Sequence, residues 1–191
     1  MASSLRVYFI VFYAIGFGVL AIATVSWLRR DTAVEQTPSG LRAYLPVLAP
    51  LNWLGAPLLI LSRIGELEGE YAPLRLAGFA LSLYAAFMLL WAPNALGRFL
   101  VPRAVIFQDH ELVTSGPYRF VRHPIYSGVV SLWLGAALGT MNLVLLCLWP
   151  PLVYAFETQA GIEEQLLRAK FGAAYERYSA STGRLVPRLA K

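Results

Sequence analysis

The chain has 191 residues, of which 58% are hydrophobic and only 14% are charged, and its net charge is +5. This composition is too apolar for an ordinary soluble domain and indicates a membrane protein of one domain's length. The basic residues are dispersed beside the apolar segments, which argues against nucleic-acid recognition, and the single cysteine, Cys147, excludes an intrachain disulfide.

Four uncharged stretches follow along the chain and predict membrane-spanning helices. Residues 7–28, 43–62 and 76–97 each have about the length that one helix needs to cross a bilayer. The first is longer than a signal-peptide core, so we interpret it as a retained span. Residues 124–156 are too many for one crossing, and the run Gly-Thr-Met-Asn at 139–142 interrupts them near the middle.

The last stretch therefore predicts a tight helical hairpin. The predicted fold is all-α, a polytopic membrane protein with five transmembrane segments, the last two forming the hairpin. The alternative is a re-entrant hairpin that does not cross the bilayer completely.

Most basic residues fall on one side of this five-segment arrangement. Thirteen of the sixteen lie in the loops after the first and third segments or in the tail. Arg6, Arg63 and Arg75 lie opposite, with the acidic cluster Glu66, Glu68 and Glu70. Because cytoplasmic loops carry an excess of lysine and arginine, the basic side is predicted to be cytoplasmic and the N-terminus external. The net positive charge then reflects topology and attraction to anionic membrane lipids.

Apolar residues recur at helical spacing in the tail after residue 156. They are Ile162, Leu166, Leu167, Phe171, Ala174, Tyr175 and Tyr178. We predict a cytoplasmic tail helix that continues from the fifth segment and ends at Gly183 and Pro187. The loop before the hairpin, the outer ends of the hairpin and the tail helix would then meet on one side of the membrane.

A dense run of special residues occupies positions 115–128, where a polar loop becomes the fourth segment; it reads Ser-Gly-Pro-Tyr-Arg-Phe-Val-Arg-His-Pro-Ile-Tyr-Ser-Gly. Pro124 suits the first turn of that helix. His123 and the backbone N–H groups around it lie at a positive helix end, which favours an anionic group of a ligand. Gly116 and Gly128 would allow a ligand to approach the backbone closely.

Aromatic and acidic residues add to this candidate site. Tyr118, Tyr126 and Tyr175 offer ring faces to an adenine or a cation and hydroxyls to polar atoms, although each also suits an ordinary interfacial aromatic belt. Glu163 and Glu164 form an acidic pair in the predicted tail helix, where solvation on a polar face is the simplest alternative.

The ordered set of motifs resembles the isoprenylcysteine carboxyl methyltransferase family, which is related to the phospholipid methyltransferases and, more distantly, to membrane sterol reductases. The motifs are residues 96–98, 112–118 and 122–124, then Tyr126 and Gly128, then Glu163, Glu164, Leu167, Phe171, Gly172, Tyr175, Tyr178 and residues 184–187. The resemblance covers roughly residues 96–189, about half of the chain, and the joint pattern is specific.

The resemblance implies a single membrane methyltransferase domain over residues 1–191, with three spans in residues 1–97 and a cofactor-binding catalytic portion in residues 98–191. It implies S-adenosylmethionine bound at the cytoplasmic membrane boundary, no metal, and a lipophilic acceptor that enters from the bilayer, in a bacterial or archaeal cytoplasmic membrane. The implied cofactor-binding residues are Gly116, Pro117, Tyr118, His123, Pro124, Tyr126, Gly128, Glu163, Glu164 and Tyr175.

One departure from the family pattern concerns the acceptor. The family commonly has a basic residue about six positions before the acidic pair, where this chain has Glu157. An arginine there could hold an acceptor carboxylate, whereas a glutamate would repel it and favour a neutral or cationic acceptor, or act as a base. Burial near the membrane would require a partner for Glu157, with Arg122 and Arg177 as candidates. These three residues are the predicted catalytic set.

Two other classes of function stay open from the sequence. One is an NADPH-dependent reductase of a membrane lipid or sterol on a related scaffold, and the other is a membrane protein with a ligand site that no longer catalyses a reaction. The identity of the acceptor and the oligomeric state are not encoded in any motif.

The charge asymmetry generates a test of topology. A cysteine introduced as Glu68→Cys should react with a membrane-impermeant thiol reagent added from outside, and one introduced as Ser179→Cys should be spared. Reversed or equal labelling of the two positions would contradict the predicted orientation.

Overall fold

The computed structural model describes Tyr13, residues 54–97 and residues 111–188. These residues form helices joined by short loops, and no β-strand occurs among them. The helices are α1 (Ala56–Ser62), α2 (Ala72–Leu96), a 3₁₀ turn (Gly116–Arg119), α3 (Pro124–Thr140), α4 (Leu143–Phe171) and α5 (Ala173–Ser181). The all-α prediction is confirmed for this part of the chain.

Two of the described helices, α2 and α4, have the length and apolarity of a membrane crossing, and α3 is a shorter apolar helix. The predicted first segment, residues 7–28, lies outside the described residues except for Tyr13, and only the end of residues 43–62 is described, as α1. The number of five segments and their orientation therefore stay predictions.

The predicted break in the hairpin is confirmed. Helix α3 ends at Thr140, and Met141 takes a left-handed conformation with φ 54°. Asn142 then caps α4, because its side chain accepts a hydrogen bond from the backbone N–H of Leu145 at 3.0 Å. The amide of Asn142 also donates to the backbone oxygen of Ile64 at 2.9 Å, which ties the turn to the loop that follows α1.

The loop between α1 and α2 contains the acidic cluster of Glu66, Glu68 and Glu70. Glu66 pairs with Asn142 as an isolated antiparallel bridge, and Leu143 donates its backbone N–H to the Gly65 oxygen at 2.8 Å. The Glu66 loop thus lies at the C-terminal end of α3, whereas His123 precedes the N-terminal end. The two regions that the sequence assigned to opposite sides are at opposite ends of α3.

Helix α4 continues past the predicted end of the fifth segment. Its 29 residues rise about 43 Å, well over the hydrocarbon thickness of about 30 Å, so span and tail helix are one element. The prediction that this helix ends at Gly183 and Pro187 is wrong: Gly172, with φ 49°, ends α4, and the short helix α5 follows it. Pro150 and Pro151 lie inside α4, where each removes a backbone hydrogen-bond donor.

Helices α2 and α3 approach each other along small residues. A side chain on Gly78 would place its Cβ 2.7 Å from the backbone oxygen of Gly135 and 2.9 Å from Cα of Gly139. Ser82, one turn along α2, donates to the Tyr13 hydroxyl at 3.0 Å, and Tyr13 donates to the Gly135 oxygen at 2.5 Å. Small residues at such spacing let helix backbones come close in a membrane, where van der Waals packing and hydrogen bonds drive association.

The buried core lies along α3. Trp133 and Leu132 are almost completely buried, and they belong to one apolar cluster with Ile60 of α1 and Leu145 of α4. Large apolar side chains on the other faces of α1, α2 and α4 are exposed; they include Leu58, Leu61, Leu76, Phe87, Leu90 and Tyr154. Such exposure suits helices that contact lipid.

The close approach of α2 and α3 predicts a stability effect. Gly78→Ala should lower the free energy of unfolding in detergent by about 1–3 kcal/mol, because the added methyl group meets backbone that cannot move away. Gly161→Ala is the matched control, since its Cβ would enter open space on α4 and should raise stability by up to about 1 kcal/mol. Equal effects of the two variants in thermal unfolding would contradict the packing argument.

Candidate functional site

The loop before α3 is fixed on the end of α2. Gly116 has φ +60°, and a Cβ there would lie 3.2 Å from Cβ of Ala95 and 3.5 Å from Nε1 of Trp91. The positive φ and the close contact with α2 therefore account for a glycine at this position. Pro117 and Tyr118, which follow, are buried, and the Tyr118 backbone oxygen accepts a hydrogen bond from the Tyr178 hydroxyl at 2.7 Å.

The start of α3 is joined to the end of the chain. Pro124 occupies the first turn of α3 as the sequence predicts, and His123 is the N-cap residue. The backbone N–H of Arg122 donates to the Gly183 oxygen at 2.8 Å, and that of His123 donates to the Arg184 oxygen at 3.1 Å. We call residues 182–188 the closing segment, because these bonds hold it beside the first turn of α3.

Glu164 is the most deeply buried charge of the site, with no exposed surface. Its Oε1 accepts from Nε of Arg122 at 2.9 Å and from Nε of Arg184 at 3.0 Å, and its Oε2 accepts from Nη2 of Arg184 at 2.9 Å. A third cation, Arg168, lies 3.6 Å from Oε2. A buried carboxylate is stable only when it is compensated in this way, so Glu164 joins α4, the loop before α3 and the closing segment.

His123 lies between the two acids. Its Nδ1 is 3.4 Å from Oε2 of Glu163, and its Nε2 is 3.4 Å from Oε1 of Glu164. The imidazole is parallel to the Tyr126 ring, with centroids 5.4 Å apart. Burial alone would lower the pKa of His123, but its interactions with the two neighbouring glutamates outweigh burial and raise that pKa. The charged imidazolium is therefore favoured.

Glu163 forms the more accessible half of the acidic pair, with 21% of its side chain exposed. Its Oε1 accepts hydrogen bonds from the Tyr126 hydroxyl at 2.5 Å and from Nε2 of Gln159 at 2.9 Å. His123, Tyr126 and Glu163 thus make one contiguous polar group at the start of α3. Within residues 54–97 and 111–188, no group of three histidine, cysteine or acidic residues is arranged to hold a metal ion.

Tyr175 of α5 adds an unusual buried hydroxyl. Its side chain is completely buried, and its hydroxyl has no hydrogen-bond partner among the described residues. Burial raises its pKa to about 12, so it stays a neutral donor. The Arg168 guanidinium lies 5.6 Å from the ring centroid. Leaving a buried hydroxyl unpaired costs about 1–3 kcal/mol.

The partner of Glu157 is not one of the two arginines suggested by the sequence. Nη1 of Arg184 donates to Oε2 of Glu157 at 2.9 Å. Arg122 instead donates to Glu164 and to the backbone oxygens of Ser179 and Thr182. Arg177 is exposed on α5 and forms no ion pair with the described residues.

Sequence reasoning gave Arg184 no role of its own, although it links Glu157 and Glu164 of α4 to the closing segment. Residues 184–187 were among the family motifs, but their partner was not predictable, since Arg184 lies 20 positions from Glu164 and 27 from Glu157.

Gly128 was expected to face a ligand, and the structure places it against α2. A Cβ there would lie 2.9 Å from Cγ of Leu89 and 3.3 Å from the Ala85 oxygen, so helix packing accounts for this glycine. Of the residues predicted to bind the cofactor, four are joined through His123, which contacts Glu163, Glu164 and the Tyr126 ring.

Two helices of membrane-spanning length and a buried charged site at one end of α3 are typical of a membrane protein with a polar ligand site. Similarity to known proteins identifies its family. Residues 74–174 match the model of the phospholipid methyltransferase family, and the chain belongs to this family. Over 72 residues it is 39% identical to the protein-S-isoprenylcysteine O-methyltransferase of Schizosaccharomyces pombe, a match that covers 37% of this chain and 30% of the relative. The suspected resemblance is confirmed by these two matches.

The raised pKa of His123 predicts how stability depends on pH. The stabilisation from its ion pairs should be complete below the unfolded pKa of about 6.5 and should be lost as pH rises through the higher folded pKa. Thermal unfolding of the native protein and of His123→Gln in detergent, followed across this range, should show the native advantage shrinking with pH. An advantage that stays constant or grows with pH would contradict the assignment.

Proposed function

We propose that this protein transfers a methyl group from S-adenosylmethionine to a lipophilic acceptor at the cytoplasmic surface of a membrane. The observation that carries the proposal is the buried contact of His123 with Glu163 and Glu164 at the start of α3, in a chain of the phospholipid methyltransferase family. A buried charged cluster costs free energy of desolvation, and groups with strongly perturbed ionisation are concentrated at functional sites.

The donor set of the site fits the polar groups of S-adenosylmethionine. Glu163 is partly exposed and can accept from ribose hydroxyls or from the amino group of the cofactor. His123, as an imidazolium at the N-terminus of α3, favours the cofactor carboxylate. The Tyr126 ring suits an adenine or a sulfonium. Tyr175 is completely buried, as Glu164 is, and we assign its hydroxyl no contact with the ligand.

Glu164 serves the site differently. Both of its oxygens are engaged by arginines and no part of it is exposed, so it organises the surrounding cations without contacting a ligand. Arg122 acts in the same way, because its donors hold Glu164 and the end of α5. We therefore assign Glu164 and Arg122 to the support of the site and leave ligand contact to Glu163, His123 and Tyr126.

The acceptor is proposed to reach the site along aromatic side chains. Phe87 and Trp91 of α2 lie 4.9 Å apart, and Phe120 follows at 6.5 Å from Trp91, just before the charged cluster. Phe87 and Phe120 are both well exposed. This row runs from a lipid-facing helix to the site, which suits an acceptor with a hydrocarbon chain. The relative's name points to a prenylated cysteine as the kind of acceptor to test first.

The structure weakens the argument that Glu157 repels an anionic acceptor. Arg184 pairs with Glu157 at 2.9 Å and so offsets part of its charge. A carboxylate acceptor therefore remains compatible with this site. Such an acceptor is already a nucleophile and needs no base, whereas an amine or a thiol must first lose a proton.

The chemistry requires mainly positioning. When bound, S-adenosylmethionine supplies an electrophilic methyl group on a sulfonium. The residues of this chain would hold the acceptor in line with that group and exclude water from it, which lowers the barrier to such a displacement. The rigid ties of the loop before α3 to α2, α5 and the closing segment provide a fixed platform for this alignment.

Calorimetric titration tests the proposal. The purified protein in detergent should bind S-adenosylhomocysteine, and His123→Ala and Glu163→Gln should each weaken binding by about 1–3 kcal/mol through loss of a charged partner. Glu70→Gln is the matched control, because this exposed acid lies in the loop at the far end of α3 and should bind normally. Binding of NADPH in place of S-adenosylhomocysteine would favour a reductase, and binding of neither would overturn the proposal.

A further inference from the structure

Arg184 is linked to His123 in two ways, one direct and one through Glu164. Its backbone oxygen accepts the N–H of His123 at 3.1 Å. Its guanidinium binds both oxygens of Glu164, at 3.0 Å and 2.9 Å, and Oε1 of Glu164 lies 3.4 Å from Nε2 of His123. One residue of the closing segment therefore fixes the backbone of His123 and also competes for the carboxylate that its imidazole faces.

The opposite edge of the same guanidinium holds Glu157. Nη1 of Arg184 donates to Glu157, whose side chain is 39% exposed, while Glu164 on the inner edge is completely buried. The inner contact is therefore fixed by burial, and the outer contact is open to solvent and adjustable. The chain Glu157–Arg184–Glu164–His123 runs from the surface to the centre of the site.

We propose that Arg184 is a positioning residue for His123, and that Glu157 acts on the same histidine through Arg184 without contacting it. The significance of this inference rests on the proposed methyl transfer, because His123 is there assigned to the cofactor. The chain of contacts itself does not depend on which ligand is bound.

The charges around His123 determine what each substitution does. Glu163 and Glu164 face the imidazole from α4, and neutral Tyr126 stacks on it. Arg122, the residue before His123, and Arg184 of the closing segment both bind Glu164. Arg168 also pairs with Glu164, at 3.6 Å. Removing the charge of Arg184 leaves Glu164 freer to stabilise the imidazolium. Removing the charge of Glu157 leaves Arg184 more strongly committed to Glu164 and makes the local potential more positive.

The two substitutions should therefore shift the titration of His123 in opposite directions. We expect Arg184→Gln to raise its midpoint by at least about 0.5 pH units and Glu157→Gln to lower it. Arg184→Lys, which keeps the charge, should stay closer to the native value than Arg184→Gln. A residue with a merely structural role would not produce opposite signs, because general loosening of the site exposes His123 equally in both variants.

The measurement is an NMR titration of the imidazole of His123. The chain has two histidines, so the background substitution His110→Gln, with a purification tag that lacks histidine, leaves His123 as the single signal. Glu70→Gln is the control at the far end of α3 and should leave the midpoint unchanged. Glu157 is partly exposed, so Glu157→Gln should remain folded even if Arg184→Gln does not, and the sign of its shift decides alone in that case.

Shifts in the same direction, or no shift with Glu157→Gln in a folded protein, would overturn the inference. The same samples are titrated with S-adenosylhomocysteine. Opposite midpoint shifts without any binding would support the positioning chain and refute the proposed function. Normal binding by the native protein without the shifts would refute the positioning chain alone.

Discussion

The structure around the site depends on the burial of one carboxylate. Glu164 lies in α4 with no exposed surface, and its charge is tolerated because Arg122 and Arg184 reach it from two other parts of the chain. Each of those arginines brings its own segment, the loop before α3 and the closing segment, to the same point. The backbone bonds from Arg122 and His123 to the closing segment then become possible. The cost of burying Glu164 is offset only when all three segments are in place, which makes the site cooperative.

Local patterns in the sequence predicted the features that local physics determines. The all-α architecture follows from long uncharged stretches, and the break at residues 139–142 follows from glycine and an asparagine that can cap a helix. Pro124 was placed in the first turn of its helix because proline lacks the N–H that this position leaves unused. The clustering of His123 with Glu163 and Glu164 was anticipated only through the order of the family motifs, since no periodicity brings those residues together.

Features that depend on long-range pairing were not predictable. The partner of Glu157 is Arg184, because the closing segment folds back beside α3. The spacing of residues in the tail does not predict this packing. Gly128 looked like a ligand contact, yet its neighbour is Leu89 of α2, a position set by the packing of two helices. The end of α4 at Gly172 was missed since the apolar periodicity continues across it into α5.

The two prolines within α4 bear on how this protein adapts to different membranes. Pro150 and Pro151 separate the half of α4 that follows the turn from the half that carries the acidic pair. Helices answer a change in bilayer thickness by tilting or bending, and a helix bends most easily where proline has removed hydrogen bonds. When the bilayer is thinner or thicker than the helix requires, α4 would bend at these prolines. The charged cluster would then keep the same position relative to the membrane surface.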